Sequence, residues 1–78
     1  MGGIPKPQPC FLDQFIKSYV DGRTKVYVDD ENERYYTWDT MHGEIEVFNK
    51  KGHHIAVYDP DGNWIKNAVR GRKITKPN

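Results

Sequence analysis

The residues best suited to chemistry lie in the stretch TWDTMHGEIEVF, residues 37–48. Side chains of an extended strand alternate between faces, so His42, Glu44 and Glu46 project from one face while Ile45 and Val47 project from the other. An imidazole and two carboxylates then stand in a row. Asp39, three residues before His42 in the preceding turn, is placed to orient the ring or fix its tautomer. A metal site would take these His and carboxylate groups as ligands, completed by His53 or His54 on the next strand. A His-x-Glu also occurs in zinc deaminases, but those require paired cysteines and Cys10 is alone. The third use is general acid–base catalysis on a phosphodiester. There a carboxylate takes the proton of a ribose 2′-hydroxyl, an imidazolium gives one to the leaving 5′-oxygen, and an arginine, Arg70 or Arg72, neutralises charge on the phosphoryl oxygens. That route needs no metal. Against all three stands the plainest reading, a solvated sheet face on which alternating polar residues are ordinary.

The elements that must position this row follow from the flanking pattern. Residues 1–9, MGGIPKPQP, carry three prolines and two glycines and read as an extended linker or an expression remnant, with the domain proper at 10–78. From Phe11 to Val20 the apolar residues Phe11, Leu12, Phe15, Ile16, Tyr19 and Val20 fall on a helical stripe, which Asp21-Gly22 ends. This predicts one short amphipathic helix packed on a sheet. Beyond Gly22 come short runs rich in Val, Ile, Tyr and Trp with turn signals at the spacing of an antiparallel sheet. Five strands are expected, over Thr24–Val28, Arg34–Trp38, Gly43–Asn49, His53–Tyr58 and Asn63–Ile74, the last interrupted at Arg70-Gly71-Arg72. Asp59-Pro60-Asp61-Gly62 is a strong reverse-turn sequence. The fold class is therefore mainly β, a small α+β domain built on a meander of hairpins. Trp38 and Trp64, with Tyr35, Tyr36 and Tyr58, read as core or sheet-face residues, base stacking being their other use. His53 and His54 read as a turn-proximal pair with one member facing solvent, and Cys10 as an inert thiol.

Composition bounds the functional classes. A chain of 78 residues allows one small core. Two Trp, five Tyr and three Phe exceed what a disordered tail carries. One cysteine excludes an internal disulfide and every CxxC zinc ribbon, and no window of the sequence resembles a membrane span or a signal peptide. The net charge of +1 conceals a split. Between Val26 and Phe48 the acids Asp29, Asp30, Glu31, Glu33, Asp39, Glu44 and Glu46 face only Arg34, whereas from Gly62 onward Lys66, Arg70, Arg72, Lys73 and Lys76 face no acid. Such a split serves either contact with a polyanion or pairing between the two halves.

The stretch RYYTWDTMHGEIEVF, followed by KKGHHIAVYDPDGNWIK and GRKITK, resembles the C-terminal cytotoxic ribonuclease domain of ribosome-inactivating colicins, which recurs in related bacteriocins and contact-dependent growth inhibition toxins. The combination that carries the resemblance is Trp-Asp-x-x-His-Gly-Glu-x-Glu, with Tyr36 two residues before Trp38, together with the turn Asp59-Pro60-Asp61-Gly62-Asn63. It runs from Lys25 to Lys76, and Gly3-Ile4-Pro5-Lys6 is similar to the linker before the nuclease in those colicins. The resemblance implies a small, highly twisted antiparallel sheet with a short N-terminal helix. It implies a single endonucleolytic cut of 16S ribosomal RNA in the decoding centre, without cofactor or metal. Asp39, His42, Glu46 and Arg72 fall on the family's catalytic positions and Glu44 on a further acid of the motif. Tyr36, Trp38, His54, Arg70 and Lys73 are the expected supporting or substrate-binding residues. An acidic immunity protein is the implied partner of an otherwise monomeric domain, delivered as part of a larger secreted or surface toxin and acting in the target-cell cytoplasm. One departure is that the family is basic just before the Trp-Asp motif, whereas here Asp29-Asp30-Glu31-Asn32-Glu33 precede it. The RNA footprint must then shift, or the docking must differ. The same domain acting on transfer RNA or another RNA, and a non-catalytic RNA-binding module, are the alternatives.

Overall fold

A computed structural model describes residues 3–68, 71 and 73–75. It is mainly β: six strands, β1 (Ser18–Asp21), β2 (Thr24–Asp29), β3 (Arg34–Asp39), β4 (Glu44–Asn49), β5 (His54–Tyr58) and β6 (Trp64–Asn67), form one antiparallel sheet in chain order. The hairpins share one device. Asp29, Asp39, Asn49 and Asp59 recur every ten residues, each at the end of a strand or just past it, and each turns a side-chain oxygen back onto the turn. Asp29 Oδ1 accepts from the Asn32 amide, Asp39 Oδ1 from Met41 and His42, Asn49 Oδ1 from Lys51 and His53, and Asp59 Oδ1 from Asp61 and Asn63. Near the close of each turn a residue takes positive φ: Glu33 at 56°, Gly43 at 66°, Gly52 at 85° and Gly62 at 90°.

The four strands expected between Thr24 and Tyr58 are present within a residue of their bounds. The fifth ends earlier, at Asn67, and the chain returns to the sheet where Lys73 bridges His53. The helix expected over Phe11–Val20 is absent. In its place stand a single 3-10 turn, Phe11–Gln14, and the additional strand β1. The reason is local. Cys10 Sγ accepts from the Leu12 amide, and the Asp13 carboxylate accepts from the Cys10 amide, which caps one turn only. The β-branched and aromatic run Ile16, Tyr19 and Val20 then pairs with β2 through the two-residue connection Gly22-Arg23. The apolar stripe divides accordingly: Leu12 is fully buried while Ile16 is 99% and Val20 68% exposed.

Leu12 packs with Tyr27, Tyr36, Ile45, Val47, Ala56 and Tyr58 on one face of the sheet, where Phe11 meets Phe15, Tyr36 and Tyr58 edge-on. The other face also carries buried residues, among them Val26, Phe48 and Val57. Closing onto the sheet is the segment 73–75. The Ile74 amide donates to the Gly52 carbonyl, while the Thr75 amide reaches Asp21 Oδ2 and its carbonyl accepts from the Tyr19 hydroxyl. In a flat sheet β1 and β4 would lie about 14 Å apart, three strand spacings. Neighbouring residues can bridge from β1 to the β4–β5 turn only because the sheet is strongly twisted and curled.

Candidate active site

Strand register assembles the site. Asp39 pairs with Glu44 and Thr37 with Glu46, so both glutamates stand beside β3 residues on the face opposite the Leu12 core. Along β4 the two glutamates are half-buried while Ile45 and Val47 are buried, the alternation expected. Asp39, the last residue of β3, holds His42 across the turn. Its Oδ1 accepts from the Met41 and His42 amides at 2.9 and 3.3 Å, and its Oδ2 lies 2.8 Å from His42 Nδ1. Burial pushes the Asp39 carboxyl up, but hydrogen bonds from the His42 ring and the two amides outweigh it and hold the group below its ordinary value. An ionised Asp39 accepts only, so Nδ1 carries the proton and Nε2 is left to exchange one with a substrate.

A depression of about 330 Å³ opens over this dyad, lined by Asp39, His42 and Glu46 together with Thr24, Thr37, Trp38, Thr40 and Met41. Glu46 shares the concavity with the imidazole, as a base on one side of a reacting phosphate and an acid on the other would. Glu44 has a different setting. It forms an ion pair with Lys66 Nζ on β6 at 3.2 Å, which realises the pairing between the acidic and basic halves of the chain. Asp39, His42 and Glu44 each offer a ligand atom within 4.8 Å of the others, a spacing that would admit one cation.

The remaining expected site residues are dispersed. Trp38 is half-buried at the rim, its indole N–H donating to the Ile4 carbonyl at 2.8 Å. Tyr36 is a core residue, 1% exposed, whose hydroxyl donates to Asp29 Oδ2 at 2.9 Å. His54 is buried against Phe48, with ring centroids 5.3 Å apart, while His53 faces solvent. Lys73 is exposed and bridges His53. Arg70 and Arg72 lie outside the described residues. Trp64, expected to pack, is 59% exposed on the edge strand β6.

Two contributors escaped the sequence reading. Lys66 comes to Glu44 only because β6 follows β5 around the curl, information that a charge tally lacks. The N-terminal segment docks directly on the catalytic turn: the Ile4 amide donates to the Thr40 carbonyl at 2.6 Å, and the Ile4 side chain lies over Gly43. A side chain at Gly3 would collide with Thr40. The signal for this was the small-residue spacing Gly3…Gly43, which is too sparse to read without the fold.

Comparison with known proteins agrees with this geometry. Residues 16–75 match the family model described as Cytotoxic. The chain is 35% identical over 76 residues to colicin E3 of Escherichia coli, a match that takes in 95% of this chain and 12% of that protein's length. The strands that carry Asp39, His42, Glu44 and Glu46 thus lie inside the matched segment, and the chain belongs to the Cytotoxic family, the colicin-type cytotoxic domains.

Proposed function

We propose that this toxin nuclease domain is a metal-independent endoribonuclease that cuts 16S ribosomal RNA in the decoding centre and so stops translation. In the mechanism, Glu46 removes the proton of the ribose 2′-hydroxyl, and the 2′-oxygen attacks the adjacent phosphorus. His42, held through Nδ1 by Asp39, gives the Nε2 proton to the departing 5′-oxygen. The P–O5′ bond breaks as the P–O2′ bond forms, leaving a 2′,3′-cyclic phosphate and a 5′-hydroxyl. Arg72 supplies the positive charge that compensates the phosphoryl oxygens. Glu44, tied to Lys66, sets the charge beside the dyad. The domain acts as a monomer, is delivered as part of a larger secreted or surface toxin, and is held inactive in the producing cell by an acidic immunity protein. The observation that carries the reading is the 2.8 Å contact between Asp39 and His42 beside a concavity that also holds Glu46.

The sister turn at Asp29 supplies a well-matched control, because Asn32 there donates its side-chain amide to Asp29 Oδ2 at 2.9 Å, three residues on, as His42 does to Asp39. His42→Asn should therefore keep the turn and lose the acid. Wild type, His42→Asn and Glu46→Gln are incubated with intact ribosomes at fixed magnesium, with and without a chelator of transition metals, and the RNA is resolved on a denaturing gel. One short fragment from the 3′ end of the small-subunit RNA is expected from wild type in both buffers, with rates lower by roughly 10²–10⁴ in each variant. Loss of cleavage on chelation would instead assign Asp39, His42 and Glu44 to a metal. Intact ribosomal RNA with cleaved transfer RNA would move the substrate, and no cleavage of either would leave a binding module.

A further inference from the structure

Beside the catalytic concavity lies a second depression of similar size, about 330 Å³, which shares Thr24, Trp38 and Thr40 with it and is lined further by Lys6, Arg23 and Lys25. Lys6 is neutralised by Asp13 at 2.7 Å. Arg23 and Lys25 are exposed, and among the described residues neither is ion-paired. Lys25 stands 4.9 Å over the Tyr27 ring, which directs its ammonium along the sheet. Trp38 forms the ridge between the two depressions, and its indole is fixed by the hydrogen bond to Ile4. Two cations and an oriented aromatic ring on one side of an acid–base pair form the arrangement by which single-stranded nucleic acid is held, with phosphates on the cations and a base on the ring. The acidic run Asp29–Glu33 lies at the other end of the β2–β3 hairpin, away from this patch.

We infer that the depression formed by Arg23, Lys25 and Trp38 is the subsite for the RNA nucleotide flanking the scissile phosphodiester, Arg23 and Lys25 neutralising its backbone phosphates. This rests on the ribonuclease reading. It also gives a place for RNA to dock that owes nothing to the segment before the Trp-Asp motif, where this chain is acidic. The two cations come from the β1–β2 turn and the start of β2, the strand pair that replaces the expected helix.

The test compares wild type, the double variant Arg23→Ala/Lys25→Ala, and Lys51→Ala, an exposed cation in the turn at the opposite end of β4. Cleavage of ribosomal RNA is measured from about 50 to 200 mM salt, and binding of a 2′-O-methyl single-stranded oligoribonucleotide, which cannot be cut, is measured by anisotropy over the same range. The double variant should raise KM and Kd roughly ten- to hundredfold, and the log–log salt slope should shrink by about 1.4, from two phosphates at about 0.7 each for single strands. Lys51→Ala should change neither. If wild type cuts RNA and the double variant shows the same KM, Kd and slope, the subsite is wrong while the ribonuclease reading stands. If wild type cuts no RNA, that reading itself fails. A double variant that cuts and binds RNA normally but loses affinity for an acidic protein partner would overturn the assignment to RNA.

Discussion

Asp39 serves two functions with its two oxygens. One caps the turn, as its counterparts at Asp29, Asn49 and Asp59 do, and the other fixes the ring of His42. The reactive dyad is thus an ordinary turn cap whose third residue is His instead of Asn. Asp39→Asn separates the two functions. The amide oxygen can still accept from Met41, but the amide nitrogen placed toward His42 is a donor, so the imidazole must turn Nδ1 into an acceptor and carry its proton on Nε2. Asp39 is a positioning residue on this account. The variant should fold, lose kcat by roughly 10²–10⁴, and move the His42 proton from Nδ1 to Nε2 in long-range 1H–15N spectra. An unchanged tautomer with reduced kcat would count against the positioning role.

The β3–β4 hairpin holds the site because its turn is fixed from both sides, by Asp39 within and by the Gly3–Ile4 segment from outside. Gly43 is where the two meet. Its φ is +66°, and a Cβ there would sit 3.1 Å from the end of the Ile4 side chain. Gly43→Ala should cost about 1–2 kcal/mol in urea unfolding from the left-handed backbone alone, and should slow cleavage as His42 shifts with the turn. Stability reduced with the rate intact would mean that the outer contact does not position the turn. Strands from Thr24 to Tyr58 were legible because Val, Ile and aromatic runs alternate between Asx and Gly punctuation. Phe11–Val20 misled because Phe11, Leu12 and Phe15 do face the core, so half a helical stripe is real. Ile16, Tyr19 and Val20 continued that stripe by coincidence while obeying strand chemistry. In the site, the spacing of Asp39, His42, Glu44 and Glu46 was readable from alternation. Lys66 and Ile4 were not, because each arrives from a distant part of the sequence through the curl of the sheet.

At the scale of the whole molecule, stability depends on a few carboxylates held ionised by the turns. In Asp29, as in Asp39, burial pushes the carboxyl up but is outweighed by hydrogen bonds, here from Asn32 and Tyr36, so both groups titrate below the ordinary 3.8. A depressed native value contributes stability that is complete above the unfolded value, near 4, and is lost as pH falls through the native one. The urea midpoint should therefore hold from pH 7 to about 5 and fall steeply below 4. Asp29→Asn should lower the midpoint at pH 6 and flatten that acid limb; a limb of undiminished steepness would place the linkage elsewhere. The strand order carries a separate consequence. Every strand pairs with its immediate sequence neighbours, so the sheet can be drawn out from one end, hairpin by hairpin, without disturbing pairings further along, and re-formed in the same order through short loop closures. Only the two closures at the chain ends, Ile4 on Thr40 and Thr75 on Asp21, require distant partners. Refolding of an extruded chain would then be quick up to the sheet and completed by the segment that locks the catalytic turn, so that the domain becomes active only at its last step.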